Sequence, residues 1–409
     1  MADEIVELSL TGLAYGGEAL GRDENGRMTF VPFALPGERV RVEIVDARKH
    51  WARGRLVEVL ETSPPRIEPR CPHFAHCGGC HYQHMPYPDQ LLVKAEIVAE
   101  QLQRIGGFDD PPVETTVPSP EPWNYRNHMQ FHLTPEGKLG FVVADSAEVF
   151  AIQECHLPEP ALVDLWPRMD LAAIPGLTRV AVRSGMESDL LVALHGEGNP
   201  DVEMHLDLPA SVVWLGPGGM AVLGGEGFVI SEVLGRPFRI SAGSFFQANT
   251  ALAAELVKRA MQALEVKAGE VVYDLYAGVG LFSAAMLEHG ARVVAVEESN
   301  WACDDYEINL HHFDKVTLYQ ATVEQALAAI EEPPNAALVD PPRAGLSRDA
   351  LDGLVEAAPD RLVYISCDPA TMARDGKRLV EAGYSLENVT PIDLFPQTYH
   401  IETLSRWRR

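Results

Sequence analysis

The sequence predicts an α/β protein with a C-terminal doubly wound, mostly parallel sheet, preceded by a small N-terminal β-barrel and a β-rich central region. From about residue 245 onward, strand-like and helix-like segments alternate, which is typical of βαβ units. Residues 5–62 contain several short strands joined by tight turns, and residues 120–235 contain further strand-like runs with glycine-rich turns. With 409 residues, the chain can form two or three domains with separate cores.

Composition limits where the protein works and what it binds. The acidic start of the chain, Met1–Glu7, lacks the pattern of a secretory signal, and the sequence has no apolar run of the roughly 18–20 residues that span a bilayer. We therefore expect a cytoplasmic protein without membrane contact, acting as a monomer. The net charge of −26 opposes nucleic-acid binding at long range, so such binding needs a local basic patch. Two candidates are Arg48–Arg55 and Arg406–Arg409, and each could equally be a solvated strand edge.

The N-terminal unit, residues 1–62, has the pattern of a small barrel. Ile5–Leu10 and Arg39–Val45 alternate polar and apolar residues as half-buried strands do, and Leu35-Pro36-Gly37 predicts a turn. Barrels of this size commonly bind single-stranded nucleic acid. Ser63-Pro64-Pro65 ends the barrel pattern, and the central unit, residues 63–240, includes a predicted helix over 89–105.

Four cysteines of the central unit form a candidate metal site, composed of Cys71, Cys77, Cys80 and Cys155. Tetrahedral four-cysteine sites usually hold zinc, but zinc ribbons pair two short C-x-x-C units. Here three cysteines cluster and one is remote, which fits an iron–sulfur cluster at least as well. Spacing alone leaves both metals open.

The C-terminal unit, residues 241–409, contains a predicted helix over 250–264 and five predicted strands. The strands cover 271–275, 292–297, 316–319, 337–340 and 362–366. Gly278 and Gly280 follow the first strand and allow a sharp turn close to a ligand, although a third glycine of the dinucleotide fingerprint is missing. Glu297 ends the second strand, where a carboxylate can bind ribose hydroxyls. The alternative is a tight turn with a surface glutamate.

Cys367 ends the fifth strand and precedes Asp368-Pro369, which places a thiol at the rim of the sheet where ligands bind. A buried, inert thiol is the alternative. Glu402 supplies a carboxylate further along the chain. A nucleophile, a carboxylate base and a cofactor loop together predict covalent catalysis on a bound ring.

Four motifs occur in a fixed order: Asp274–Ser283, Asp340–Gly345, Ser366–Asp375 and Phe395–Glu402. Together they resemble the RNA uracil-5-methyltransferase family, and the resemblance extends over essentially the whole chain. Residues 1–62 resemble its RNA-binding TRAM barrel, and the four cysteines resemble the iron–sulfur ligands of its ribosomal members. Two positions depart from the family pattern. Leu281 stands where some members have a polar residue, and Asp368 stands where asparagine is common.

The resemblance implies methyl transfer from S-adenosylmethionine to C5 of a uridine in RNA, with 23S ribosomal RNA as the expected substrate. Cys367 is then the nucleophile that adds to C6, and Glu402 is the base that removes the C5 proton. The cysteines Cys71, Cys77, Cys80 and Cys155 hold a 4Fe–4S cluster in this interpretation. The expected cofactor-binding residues are Gln247, Tyr276, Gly278, Glu297 and Asp340. Transfer RNA as the substrate, and a non-catalytic iron–sulfur protein that assists RNA assembly, are the alternative interpretations.

Overall fold

The computed structural model describes residues 4–24, 26–169, 171, 174–198 and 209–409. Residues 1–3 and 25 of the predicted range 1–62 lie outside the described residues. The same holds for residues 170, 172–173 and 199–208 of the predicted range 120–235. Within these residues the chain forms a closed barrel, two seven-stranded sheets and one hairpin. In this part of the chain, no helix is long and apolar enough to cross a membrane.

The barrel is confirmed, with strand order β1-β2-β3-β5-β4. Its strands are β1 (Ile5–Leu13), β2 (Ala19–Arg22), β3 (Met28–Val31), β4 (Arg39–Ala47) and β5 (Trp51–Glu61). Alternate side chains such as Leu8, Leu10, Val40 and Val42 fill its core, as the period of two predicts. Tyr82 and Met85 from the following segment also pack into this core, so the barrel is joined to the rest of the molecule by shared burial.

Helix α1 (Tyr87–Gln101) continues into a single π-helical turn at Leu102–Gly106, close to the predicted helix over 89–105. The buried face of this helix includes polar side chains as well as apolar ones. Leu92 is 62% exposed, whereas the side chain of Lys94 is completely buried. Ile97 and Val98 from this face join the core of the C-terminal sheet. The helix therefore carries polar groups into the interior of the molecule.

The central sheet has the strand order β12-β11-β10-β9-β6-β7-β8 and is mostly antiparallel. Its elements are β6 (His128–Leu133), β7 (Leu139–Val142), β8 (Val149–Ala151), α2 (Pro160–Leu165), β9 (Leu177–Ser184), β10 (Leu190–Gly196), β11 (Ser211–Gly216) and β12 (Gly219–Gly224). A separate hairpin follows, formed by β13 (Phe228–Val233) and β14 (Arg236–Ser241). Helix α2 covers one face of the sheet, where Phe131, Leu162 and Trp214 pack in one core.

The C-terminal unit alternates helices and strands, and its predicted helix and five strands are confirmed within one residue. Its elements are α3 (Thr250–Leu264), β15 (Val271–Leu275), α4 (Leu281–Glu288), β16 (Arg292–Glu297), α5 (Asn300–Leu310), β17 (Val316–Gln320), α6 (Val323–Ala329), β18 (Ala336–Val339), α7 (Arg348–Ala357), β19 (Arg361–Ser366), α8 (Pro369–Glu381), β20 (Ser385–Ile392) and β21 (Glu402–Arg408).

The strand order β17-β16-β15-β18-β19-β21-β20 gives a parallel sheet with an antiparallel end. The order reverses between β15 and β18, so the loops that follow these strands meet at a topological switch point, where α/β sheets bind ligands. Strand β21 lies between β19 and β20, and its Trp407 is fully buried. The last residues of the chain are therefore part of the sheet interior.

Candidate active site

Cys367 and Glu402 lie next to each other because β19 and β21 are antiparallel neighbours. The antiparallel register pairs Ser366 with Thr403. One residue later on the first strand and one residue earlier on the second, Cys367 therefore lies opposite Glu402. Cys367 is half-buried and Glu402 is buried at the start of β21. Two residues that are 35 positions apart in sequence thus form one thiol–carboxyl pair at the sheet rim.

Burial and neighbouring carboxylates disfavour the ionised forms of both members of this pair in the free protein. Burial is the main cause that raises the pKa of the Cys367 thiol to about 12, with Glu402 and Asp340 adding to it. Burial and the Asp340 carboxylate also hold the pKa of Glu402 well above its usual range. The Arg343 guanidinium opposes both shifts, so it is the cation that favours the ionised forms.

Arg343 is a site residue that the sequence analysis did not identify. It follows β18 in the segment Asp340–Arg343, and its Nη2 lies 3.3 Å from Nδ1 of His400. Burial and Arg343 lower the pKa of His400 to about 3, so this imidazole is neutral. An arginine directly after a strand-ending Asp-Pro-Pro is the signal that could have identified it.

Glu297 ties the glycine loop after β15 to the end of β16. Its carboxylate accepts hydrogen bonds from the backbone N–H of Gly278 at 2.9 Å and of Ser299 at 2.8 Å. Gly278 and Gly280 both have positive φ, as the predicted sharp turn requires. Tyr276 also has positive φ, at 66°, which is uncommon for a residue with a side chain and marks this loop as a specific conformation.

Two acidic side chains lie at the switch point itself. Asp274 is fully buried at the end of β15, accepts a hydrogen bond from the Ser283 hydroxyl at 2.5 Å, and has its pKa raised by burial to about 7. Asp340, half-buried after β18, has its pKa raised by desolvation and by Asp274. Since Asp340 in turn raises the pKa of Glu402, the carboxyl groups form an electrostatically coupled series from the glycine loop to Cys367.

A cleft of about 840 Å³ opens at this edge of the sheet. Of the predicted cofactor-binding residues, it is lined by Tyr276 and Glu297, but not by Gln247, Gly278 or Asp340. Asp340 itself does not line the cleft, but Pro342 and Ala344, which follow it in the segment after β18, do. The cleft is large enough for a nucleoside-sized ligand.

Gln247 lies directly before α3, and its side chain is buried. Its backbone carbonyl accepts a hydrogen bond from the Asn127 side chain, which connects this segment to the central sheet. The neighbouring Phe245 is 71% exposed, whereas Phe246 is buried in the core. Of these two phenylalanines, Phe245 alone offers an open ring face.

The four cysteines of the candidate metal site share one neighbourhood. Burial is the main cause that raises the pKa of the Cys80 thiol. The other three thiols, of Cys155, Cys77 and Cys71, are close enough to raise it further. Cys80 packs with Tyr125 and Leu157, and Phe74, Trp123 and Cys155 border this group. All four thiols are free. Among the described residues, no group of three or more His, Cys, Asp or Glu side chains is placed to hold a metal ion, so the cluster stays a prediction.

The cysteine-rich segment contacts the segment that carries Glu402. The backbone carbonyl of Gln397 accepts hydrogen bonds from the N–H groups of His81 and Tyr82, at 2.9 and 3.0 Å. Gln90 of α1 holds the same residue by donating to its side-chain oxygen and accepting from its N–H, each at 3.0 Å. Lys94 adds an ion pair with Asp393 at 2.6 Å. Helix α1 and the cysteine-rich segment therefore fix the loop before β21.

Both basic patches proposed from the sequence contain ion pairs. Arg406 and Arg408 pair with Glu265 and Glu387, which compensates these two charges of the C-terminal patch. In the barrel, Arg48 pairs with Asp46, Arg53 with Glu18 and Arg55 with Glu43. Lys49 and His50, which are exposed in the turn between β4 and β5, form no ion pair with any described residue. This turn is the part of the patch that keeps its charge.

Two family models match the chain. Residues 232–406 match the tRNA (uracil-5-)-methyltransferase family, and residues 3–57 match the TRAM domain. An uncharacterized RNA methyltransferase of Aquifex aeolicus is 35% identical, and the alignment covers 99% of both chains. A second one, from Streptomyces avermitilis, is 31% identical with 98% of both chains covered.

The fold is similar to that of Pyrococcus abyssi tRNA (uracil-54, C5)-methyltransferase, solved in complex with S-adenosyl-L-homocysteine. The TM-score is 0.74 at 23% identity, with 98% of this chain and 99% of that chain covered. The sequence relatives determine the family, and the solved structure has a similar fold over nearly the whole chain. With full-length relatives above 30% identity and both domain models matched, the protein belongs to the S-adenosylmethionine-dependent RNA methyltransferases of the TRAM-containing uracil-5-methyltransferase family.

Proposed function

We propose that the protein methylates C5 of a uridine in RNA, with 23S ribosomal RNA as the substrate. The observation that carries this proposal is the pairing of Cys367 with Glu402 across β19 and β21, beside the switch point of a methyltransferase sheet. A ring carbon that is a poor nucleophile needs a thiol to activate it and a base to remove its proton, and this pair supplies both.

The proposed reaction assigns one role to each residue. The Cys367 thiolate forms a carbon–sulfur bond at C6 of uracil, and the displaced electron pair makes C5 nucleophilic. Bound S-adenosylmethionine supplies the electrophilic methyl group that C5 accepts. Glu402 then removes the C5 proton, the double bond between C5 and C6 re-forms, and the thiolate leaves. The uridine must leave its stack to reach this site, and the exposed Phe245 is our candidate for stacking on the flipped base.

The proposed cofactor residues are Gln247, Tyr276, Gly278, Glu297 and Asp340. Glu297 fits a ribose because its carboxylate already fixes the glycine loop and keeps lone pairs for further donors. Tyr276 and Glu297 line the 840 Å³ cleft, which supports a nucleoside in that position. In their ionised forms Asp340 and Glu402 place negative charge near the thiol, which favours a positively charged sulfonium bound beside them.

We also propose that Cys71, Cys77, Cys80 and Cys155 hold a 4Fe–4S cluster. Their shared neighbourhood, their aromatic border and the backbone N–H of Gly79, which lies 3.4 Å from Sγ of Cys77, support thiolate ligation. Protein purified without oxygen should contain about four irons and four sulfides per chain. Cys80→Ser should lose most of the iron. Stoichiometric zinc without iron in the wild-type protein would contradict the cluster.

The proposed units are residues 1–62 for RNA binding, 63–240 for the cysteine site and further RNA contacts, and 241–409 for methyl transfer. We propose that they act together as a cytoplasmic monomer. Transfer RNA is the second candidate substrate, because the matched family is named after it.

The direct test incubates the protein with labelled S-adenosylmethionine and either ribosomal or transfer RNA. Formation of 5-methyluridine in 23S RNA is the expected result, and Cys367→Ala should abolish it. If 5-methyluridine formed in transfer RNA alone, transfer RNA rather than 23S ribosomal RNA would be the substrate. Bound cofactor without product in any RNA would favour the non-catalytic alternative. Mapping 5-methyluridine in a deletion strain identifies the nucleotide.

A further inference from the structure

The barrel contacts the segment of the proposed nucleophile through the turn between β1 and β2. The Tyr15 hydroxyl donates a hydrogen bond to Oδ2 of Asp368 at 3.1 Å, across 353 positions of sequence. The Tyr15 ring also packs edge-on against Tyr399, with 6.0 Å between the ring centroids. Tyr15 of the N-terminal barrel thus takes part in the hydrogen bonds around Cys367, at the edge of the C-terminal sheet.

Asp368 uses its two carboxylate oxygens for different partners. Oδ1 accepts hydrogen bonds from the N–H groups of Ala370 and Thr371, at 3.0 and 2.9 Å, and so caps α8. Oδ2 is left for Tyr15. On the other side of Cys367, the Ser366 hydroxyl contacts the backbone of Asp368 at 3.0 and 3.2 Å. Tyr15 therefore adds a hydrogen bond to the carboxylate oxygen that the helix cap does not use, so both oxygens of Asp368 have partners.

The turn is shaped for close approach to the catalytic segment. Gly17 has a φ of +89°, and a Cβ atom at this position would lie 3.2 Å from the Cβ atoms of both His81 and Tyr399. The turn is closed by hydrogen bonds from Gly17 N–H to the Ala14 carbonyl and from Ala14 N–H to the Glu18 carbonyl. A side chain at position 17 would therefore crowd His81 and Tyr399 and strain the turn that carries Tyr15.

We propose that Tyr15 is a positioning residue: the barrel uses it to hold Cys367 in the geometry that addition to C6 requires. This inference rests on the proposed function, because the geometry matters only if Cys367 attacks a ring. Near-attack positioning of a nucleophile is sensitive to displacements of an ångström or less. Because the contact belongs to the barrel, the docked position of the barrel and the geometry of the thiol are linked.

The kinetic test replaces the hydroxyl alone. Tyr15→Phe should lower kcat for uridine methylation by about 10-fold, with the KM for S-adenosylmethionine unchanged within about 2-fold. In an Asp368→Ala background, Tyr15→Phe should have no further effect, since the acceptor is already missing. Asp368→Asn should keep most of the activity, because its carbonyl can cap α8 and its amide can donate to Tyr15. Tyr384→Phe is the matched control: this buried tyrosine donates to the Pro359 carbonyl at 2.9 Å, outside the site.

A second readout does not depend on activity. We expect iodoacetamide to alkylate Cys367 about 3- to 10-fold faster in Tyr15→Phe and in Gly17→Ala, because a loosened segment is less desolvated. Cys303, which is buried in α5, is the internal reference for global unfolding and should keep its rate. Unchanged Cys367 alkylation and unchanged kcat in Tyr15→Phe would overturn the positioning role. If Cys367 were alkylated faster in Tyr15→Phe but the wild-type protein formed no 5-methyluridine, the proposed function would be wrong. The effect of Tyr15 on the position of Cys367 would still be supported.

Discussion

At the scale of single residues, Cys367 is the proposed nucleophile, and its thiol has a high pKa that the proposed reaction must overcome. Burial and the carboxylates Glu402 and Asp340 raise this pKa to about 12, so the thiolate is scarce at neutral pH. Arg343 is the cation that counteracts them. A second positive charge in the site, such as the sulfonium of the cofactor, would lower the pKa further and so couple cofactor binding to activation of the nucleophile.

This coupling predicts a shift in the pH dependence of thiol alkylation. In free protein, the rate of Cys367 alkylation should still rise above pH 10. S-adenosylmethionine should move the profile down by about 1–2 pH units, the effect of one charge about 6 Å away in a medium of effective dielectric constant 20. S-adenosylhomocysteine has nearly the same shape without the charge and is the control for shielding. Equal profiles with both ligands would contradict the electrostatic mechanism.

Glu402→Gln should separate addition from release. Without its carboxylate the C5 proton stays, so the carbon–sulfur bond cannot break by elimination. The substitution also removes the carboxyl group whose ionised form raises the pKa of Cys367, which favours addition. We expect a covalent protein–RNA complex that survives denaturing electrophoresis and is absent from the Cys367→Ala/Glu402→Gln double variant. Wild-type turnover by Glu402→Gln would assign the base to another residue.

At the scale of secondary-structure elements, sequence patterns predicted what local periodicity determines. The barrel, helix α3 and the five parallel strands each carry a regular apolar repeat, and each was found at its predicted position. Strands β20 and β21 were not predicted, because arginines along β21 suggested a basic surface patch. In the structure these arginines form ion pairs with Glu265 and Glu387 beside the buried Trp407. Such pairing depends on tertiary neighbours that no local pattern contains.

The candidate site shows the same limit. Strand ends indicated Cys367, Glu297 and Asp340, since a residue after a parallel strand lies at the ligand edge regardless of its partners. Tyr15 and Lys94 were missed because their roles depend on contacts with residues about 300 or more positions away. Lys94 stands three and four positions before Ile97 and Val98 and so shares their helix face, and this spacing was the available signal for its burial.

Helix α1 provides an element-scale prediction, because its Lys94 forms a fully buried ion pair with Asp393 and also donates to the carbonyls of Phe395 and His400. Lys94→Met leaves the Asp393 carboxylate buried without its cationic partner, which should lower the free energy of unfolding by about 3–5 kcal/mol. The double variant Lys94→Met/Asp393→Leu should recover part of this stability but not the hydrogen bonds to the loop before β21. Urea unfolding and kcat measure the two effects separately. A stable and fully active Lys94→Met variant would show that the loop does not need this contact.

At the scale of the whole molecule, a protein of net charge −26 must bind a polyanion. Most arginines of the barrel are compensated by acidic partners, so the long-range field does not attract RNA. Binding then requires a few local positive contacts together with base stacking, which is tolerant of sequence. Trp51, which is 37% exposed beside the turn of Lys49 and His50, combines both kinds of contact in one place.

The turn between β4 and β5 should therefore contribute a measurable share of RNA affinity. Lys49→Glu should weaken RNA binding about 10-fold at 0.1 M salt and reduce the salt slope by about one, as expected for the loss of one phosphate contact. Lys315→Glu changes the net charge equally but lies in the exposed loop before β17, so it controls for the overall field. Fluorescence anisotropy with single-stranded RNA across a salt series measures both quantities, and cofactor affinity should be unchanged in both variants. Equal weakening by the two substitutions would mean that total charge, rather than the barrel turn, governs binding.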